Sequence, residues 1–73
     1  MTGPELAAIR KRLGLTAEAL AAALGYNGNP ASIAMIIYRF EAPKGRHVPP
    51  AVSRLATMFD RFGVPADFLA GRL

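Results

Sequence analysis

The sequence has no cysteine, no tryptophan, one histidine, and only five acidic residues against nine Lys and Arg. Without cysteine there can be no disulfide, thiolate zinc site or nucleophilic thiol, so apolar packing has to hold the fold. Val and Thr are sparse and Ala is abundant, which disfavours sheet and favours close-packed helices. No apolar stretch approaches the ~18 residues of a membrane span, and the N-terminal segment lacks the basic and apolar regions of a signal peptide. A cytoplasmic chain with no membrane partner is therefore expected.

What is present is short and apolar-rich: 73 residues, 52% hydrophobic, with a formal charge of +4. This length allows one domain, residues 1–73, and a chain so small buries only ~60% of its unfolded surface. The inventory argues against an enzyme. His47 lies in a Pro- and Gly-bearing loop where a surface role is the simpler account. Ser32 and Ser53 have no His and carboxylate predicted beside them, and no Gly-rich phosphate loop occurs. The acids are scattered one per segment, which suits neither paired-carboxylate chemistry nor a divalent metal. No catalytic residue, metal, cofactor or small-molecule ligand is expected.

Helix signals then divide the chain. Thr2-Gly3-Pro4-Glu5 reads as a capping box with a proline in the first turn. Leu6, Ile9 and Leu13 form one apolar stripe after it, Arg10, Lys11 and Arg12 project from the other faces, and Gly14 is the stop. Thr16 caps a second, Ala-rich helix that runs to Leu24 and ends at Gly25, with Leu20 and Leu24 as its larger anchors. Tyr26-Asn27-Gly28-Asn29 is a turn, and Asn29-Pro30 opens a third helix over about residues 30–41. Ile33, Ile36, Ile37 and Phe40 should face inward, leaving Ala31, Ser32, Met35, Tyr38 and Arg39 outward. Ala42 to Pro49 reads as a loop. Pro50 opens a fourth helix with Val52, Leu55, Ala56 and Phe59 on one face, continued by Phe62 until Gly63. A short fifth helix starts at Pro65 and runs through Phe68 and Leu69. The expected fold is all-α, a compact bundle of four to five helices.

Two basic clusters stand out, Arg10-Lys11-Arg12 and Lys44-Arg46-His47. Phosphate contact explains both, as does the need of a small apolar-rich chain for surface charge, and +4 alone does not decide between them. Tyr38 also reads as a half-buried ring with a wet hydroxyl, and Arg39 as a surface partner of Glu41 or Glu18.

The order of segments is more informative. The run Leu15-Thr16-Ala17-Glu18-Ala19-Leu20-Ala21-Ala22-Ala23-Leu24-Gly25 is followed by a turn and a helix ending Tyr38-Arg39-Phe40-Glu41. A Pro-bearing loop then leads into another amphipathic helix. This arrangement resembles the helix-turn-helix regulators of the lambda-repressor and Cro type, the XRE family. The likeness spans nearly the whole chain. Val48-Pro49-Pro50-Ala51-Val52-Ser53-Arg54-Leu55 and Gly63-Val64-Pro65-Ala66-Asp67-Phe68-Leu69 look like later segments of small phage and mobile-element members. Two departures are visible. Ala17 stands where members usually carry a phosphate-contacting Gln. The stretch from Gly25 to Glu41 is also longer than the usual pattern by roughly one and a half to two helical turns, which points to both a longer turn and a longer third helix.

The resemblance implies a sequence-specific DNA-binding transcriptional regulator with helix three in the major groove. On that reading Ala31, Ser32, Met35, Tyr38 and Arg39 meet base edges, with Ala31 and Met35 suited to a thymine methyl and Arg39 to guanine or phosphate. Thr16, Asn27, Asn29, Lys44 and Arg46 would contact the DNA backbone. A single small module covers little DNA, so a homodimer is expected. The apolar surplus of Phe59, Phe62, Phe68, Leu69 and Leu73 places its contact near the C-terminus. The alternative is a protein-interaction module, antitoxin-like or a phage accessory protein, that keeps the helix-turn-helix fold without reading DNA.

Overall fold

Five helices account for most of the chain in a computed structural model that describes residues 1–44 and 47–70. They are α1 (Gly3–Arg12), α2 (Ala17–Ala23), α3 (Pro30–Glu41), α4 (Pro50–Phe62) and α5 (Ala66–Ala70), and there is no strand among the described residues. Arg46 and Leu73 lie outside the described residues.

Local chemistry sets the helix starts. Thr2 Oγ1 accepts from the Glu5 N–H at 3.2 Å while Glu5 Oε1 accepts from the Thr2 N–H at 2.7 Å, completing the capping box. Donation from the Thr2 N–H to its ionised form holds the Glu5 carboxyl below its ordinary pKa. Thr16 caps α2 by accepting from the Ala19 N–H at 3.0 Å, and Asn29 caps α3 by accepting from the Ala31 N–H at 2.9 Å. The ends of α1 and α2 follow one pattern. The Leu15 N–H reaches the Arg10 carbonyl across Gly14, and the Tyr26 N–H reaches the Ala21 carbonyl across Gly25. Both glycines have positive φ, 70° and 100°, as this left-handed closure requires.

α2 and α3 share the most extensive packing between elements, and α1 lies against α3 and α4. Their approach is permitted by Ala17, Ala21 and Ala23, all buried, beside Leu20. Leu6, Leu20, Ile37 and Phe59 form the centre of one continuous core that also takes Ile9, Ile33, Phe40, Val52 and Ala56. Val48 is buried as well, although it belongs to the stretch read as a loop, so that segment is pinned by an apolar anchor. Met1 and Tyr26 pack against the core from outside, Tyr26 with its ring 6.5 Å from that of Phe40. The radius of gyration, 11.1 Å, matches the value of about 11 Å for a close-packed chain of this length. No helix among the described residues is long and apolar enough to cross a membrane.

Two assignments on α4 change. Phe59 is buried in the core, with the Phe68 ring edge-on to it at 5.9 Å, and cannot serve as a contact to another molecule. Phe62 does not continue the buried face, being 75% exposed. At about 100° per residue the buried stripe of Val52, Ala56 and Phe59 lies about 100° away from a second stripe of Ala51, Leu55, Met58 and Phe62. Phe62 belongs to that second stripe. On α3, Ile36 is only partly buried, whereas Ile33, Ile37 and Phe40 are buried as their spacing predicts.

Candidate nucleic-acid interface

α3 carries two opposite faces. Ile33, Ile37 and Phe40 seat it on the core, and Ala31, Ser32, Met35, Tyr38 and Arg39 are exposed on the other side. Met35 is 47% and Tyr38 52% exposed, large values for side chains of their apolar content. Ala31, Met35 and Tyr38 follow one another at i, i+4 and i+7 and so form a single line, with Ser32 and Arg39 beside it.

The orientation of this face is fixed from behind. Arg10 on α1 donates from Nε to Glu41 Oε2 at 2.6 Å and from Nη2 to Glu41 Oε1 at 3.1 Å, a two-pronged pair at the last residue of α3. Its remaining Nη1 donates to the Leu15 carbonyl oxygen at 3.2 Å, joining the α1–α2 connection to the same clamp. Both side chains are largely shielded, with 16% and 11% of their surfaces accessible. Hydrogen bonding to Glu41 raises the Arg10 pKa. Gly3 adds a second tie, because a Cβ at that position would overlap the carbonyl oxygens of Phe40 and Glu41. The start of α1 therefore lies against the end of α3 at a distance only glycine allows.

This arrangement changes the reading of the first basic cluster. Arg10 faces inward as a structural partner, and Glu41 is occupied by Arg10 and not by Arg39. Arg12 pairs with Asp60 of α4, Nε to Oδ1 at 3.1 Å and Nη2 to Oδ2 at 2.9 Å, and that hydrogen bonding holds the Asp60 carboxyl below its ordinary pKa. Of the three residues only Lys11 takes part in neither ion pair, and it is exposed. Arg39, Lys44, Arg54 and Arg61 are likewise exposed and outside both pairs.

The residues expected at a phosphate backbone are placed unevenly. Lys44 is exposed just beyond the end of α3, and Asn27 is exposed in the turn before it. Thr16 and Asn29 are exposed, but their side-chain oxygens already cap α2 and α3. Asn29 retains its NH2 as a donor, while the α3 amide cluster is reduced, since Pro30 has no N–H and Ala31 donates to Asn29. Ala17, at the position where the resemblance implies a phosphate-contacting Gln, is buried.

A second exposed apolar region lies on α4 and α5. Leu55, Met58, Phe62, Val64, Pro65 and Phe68 line a groove between α4 and α5. Met58 is 54% and Phe68 41% exposed there, and Leu69 is partly buried against the core. Among the described residues no group of three His, Asp or Glu side chains could hold a metal ion. No protein-family profile, curated protein or solved structure matches the chain.

Proposed function

We propose that this protein is a sequence-specific DNA-binding transcriptional regulator of the helix-turn-helix kind, similar to the lambda-repressor and Cro type, that inserts α3 into the major groove as a homodimer. The observation that carries the reading is the outer face of α3. Five exposed side chains with no acid among them project from a helix whose inner face is buried and whose C-terminal end is clamped by Arg10 and Gly3. A rigid, convex, acid-free helix is the shape and charge a major groove accepts.

Lys44 beside the end of α3, with Asn27 and the Asn29 amide group before its start, supplies donors for the flanking phosphates. Lys11 adds an exposed cation on α1. Dimerisation is assigned to Met58, Phe62, Phe68 and Leu69, since one module of this size buries only about 600–1,000 Å² on DNA and specific binding calls for two half-sites.

The test is selection of bound fragments from a random duplex library, followed by binding at several salt concentrations. An inverted repeat should be recovered, and the log-log salt slope should be about −0.9 per neutralised phosphate. Lys44→Ala should weaken all sequences alike and lower the slope by about 1. Salt-independent binding, or no selected duplex, would overturn the reading and favour a protein partner for the Met35 and Tyr38 surface.

A further inference from the structure

The line Ala31, Met35, Tyr38 spans eight residues of helix, about 10 Å from first to last, or roughly three base-pair steps. Its chemistry is unusually narrow. Beside the hydroxyls of Ser32 and Tyr38, the exposed face of α3 has no Asn or Gln to pair with adenine, no Asp or Glu to accept from cytosine, and one guanidinium, Arg39, at its C-terminal end. Ala31 offers only a methyl group, and Met35 an unbranched chain with a thioether that is at most a weak acceptor. Met35 is 47% exposed, so about half of its surface is open to a partner. In the major groove one apolar feature distinguishes the base pairs, the C5-methyl group of thymine.

We infer that α3 recognises C5-methylated pyrimidines, reading the methyl group itself through Ala31 and Met35. This rests on the proposed DNA reading and adds to it a ligand chemistry. The methyl of thymine and that of 5-methylcytosine occupy the same place in the groove. The two bases differ at C4, where thymine presents an oxygen acceptor and cytosine an amino donor. Side chains without a strong donor or acceptor cannot sense that difference. Ala31 and Met35 therefore accept thymine and 5-methylcytosine alike and bind uracil and unmethylated cytosine less well. Cytosine methylation becomes a signal to which the protein responds.

The experiment uses the full chain and the duplex recovered by selection. Each thymine is replaced in turn by uracil, which removes the methyl and leaves the pairing edge intact. The sensitive thymine·adenine pair is then replaced by cytosine·guanine, with and without a C5-methyl. At that position uracil should lower affinity about fourfold, the value of one buried CH2. Unmethylated cytosine should weaken binding and 5-methylcytosine should restore it. Met35→Ala, at an exposed position and checked for folding by circular dichroism, should bind the thymine and uracil duplexes with nearly equal affinity, and Ala31→Gly should narrow the difference. Equal binding of thymine and uracil duplexes by the wild-type chain, or failure of 5-methylcytosine to restore binding, would overturn the inference while leaving DNA binding in place. Failure to select any duplex would remove the DNA reading itself.

Discussion

Arg10 shows how much one side chain can decide. It makes three hydrogen bonds, two to the Glu41 carboxylate and one to the Leu15 carbonyl, and so joins α1, the α1–α2 connection and the end of α3. Removing it leaves Glu41 shielded without its partner and frees the C-terminal end of the proposed reading helix. Arg10→Met should lower the unfolding free energy by about 2–3 kcal/mol. That is a large part of the roughly 4–11 kcal/mol expected for a chain of this length. A urea titration should show an earlier midpoint with an unchanged slope. Arg12→Met, which breaks a more exposed pair, should scarcely move that midpoint. Residues whose roles are local were legible in the sequence. Thr2, Glu5, Thr16 and Asn29 cap the helices their spacing predicts, because a cap involves partners only two or three positions away. Arg10 was not legible in this way. Its partner is 31 positions distant, and its neighbours Lys11 and Arg12 make it look like part of a solvent-facing basic run.

At the scale of elements, α4 is the instructive helix. It carries two apolar stripes, one seated on the core and the other, with Met58 and Phe62, on the outside beside Phe68 of α5. The proposed dimer rests on this second stripe. Phe62→Glu should leave the fold intact, since Phe62 is 75% exposed, and should yield a monomer by light scattering with weakened binding to a two-half-site duplex. A dimer that survives the substitution would move the contact away from α4. The existence and order of the helices were readable from caps, prolines and glycines. Which apolar residues of α4 face inward was not. Phe59 and Phe62 are both aromatic, three positions apart and near a helix end, and only the direction of the neighbouring helices separates the buried ring from the exposed one. Val48 escaped for the related reason that a lone apolar residue among prolines and charges has no periodicity to reveal it. The outer face of α3 was legible because Ile33, Ile37 and Phe40 define its opposite without ambiguity.

In the whole molecule α1 acts as a strut, tied to α3 through Arg10 and Glu41 and to α4 through Arg12 and Asp60. The same pairs shape the electrostatics. Glu41 and Asp60 neutralise two arginines, and Glu5 is engaged in a cap, while Lys11, Arg39, Lys44, Arg54 and Arg61 remain exposed. A modest net charge of +4 is thus presented as several surface cations. If the outer face of α3 meets duplex DNA, as proposed, binding must register on that face first. The most direct measurement is a titration of the ¹⁵N-labelled chain with the selected duplex, following backbone amide and methionine methyl resonances. The largest shifts should fall on residues 31–39 and on Lys44, with the Met35 methyl moving strongly and buried Leu6 and Leu20 little affected. Shifts concentrated at Met58, Phe62 and Phe68 with α3 unmoved, or no shift at all at low salt, would contradict the proposed DNA contact.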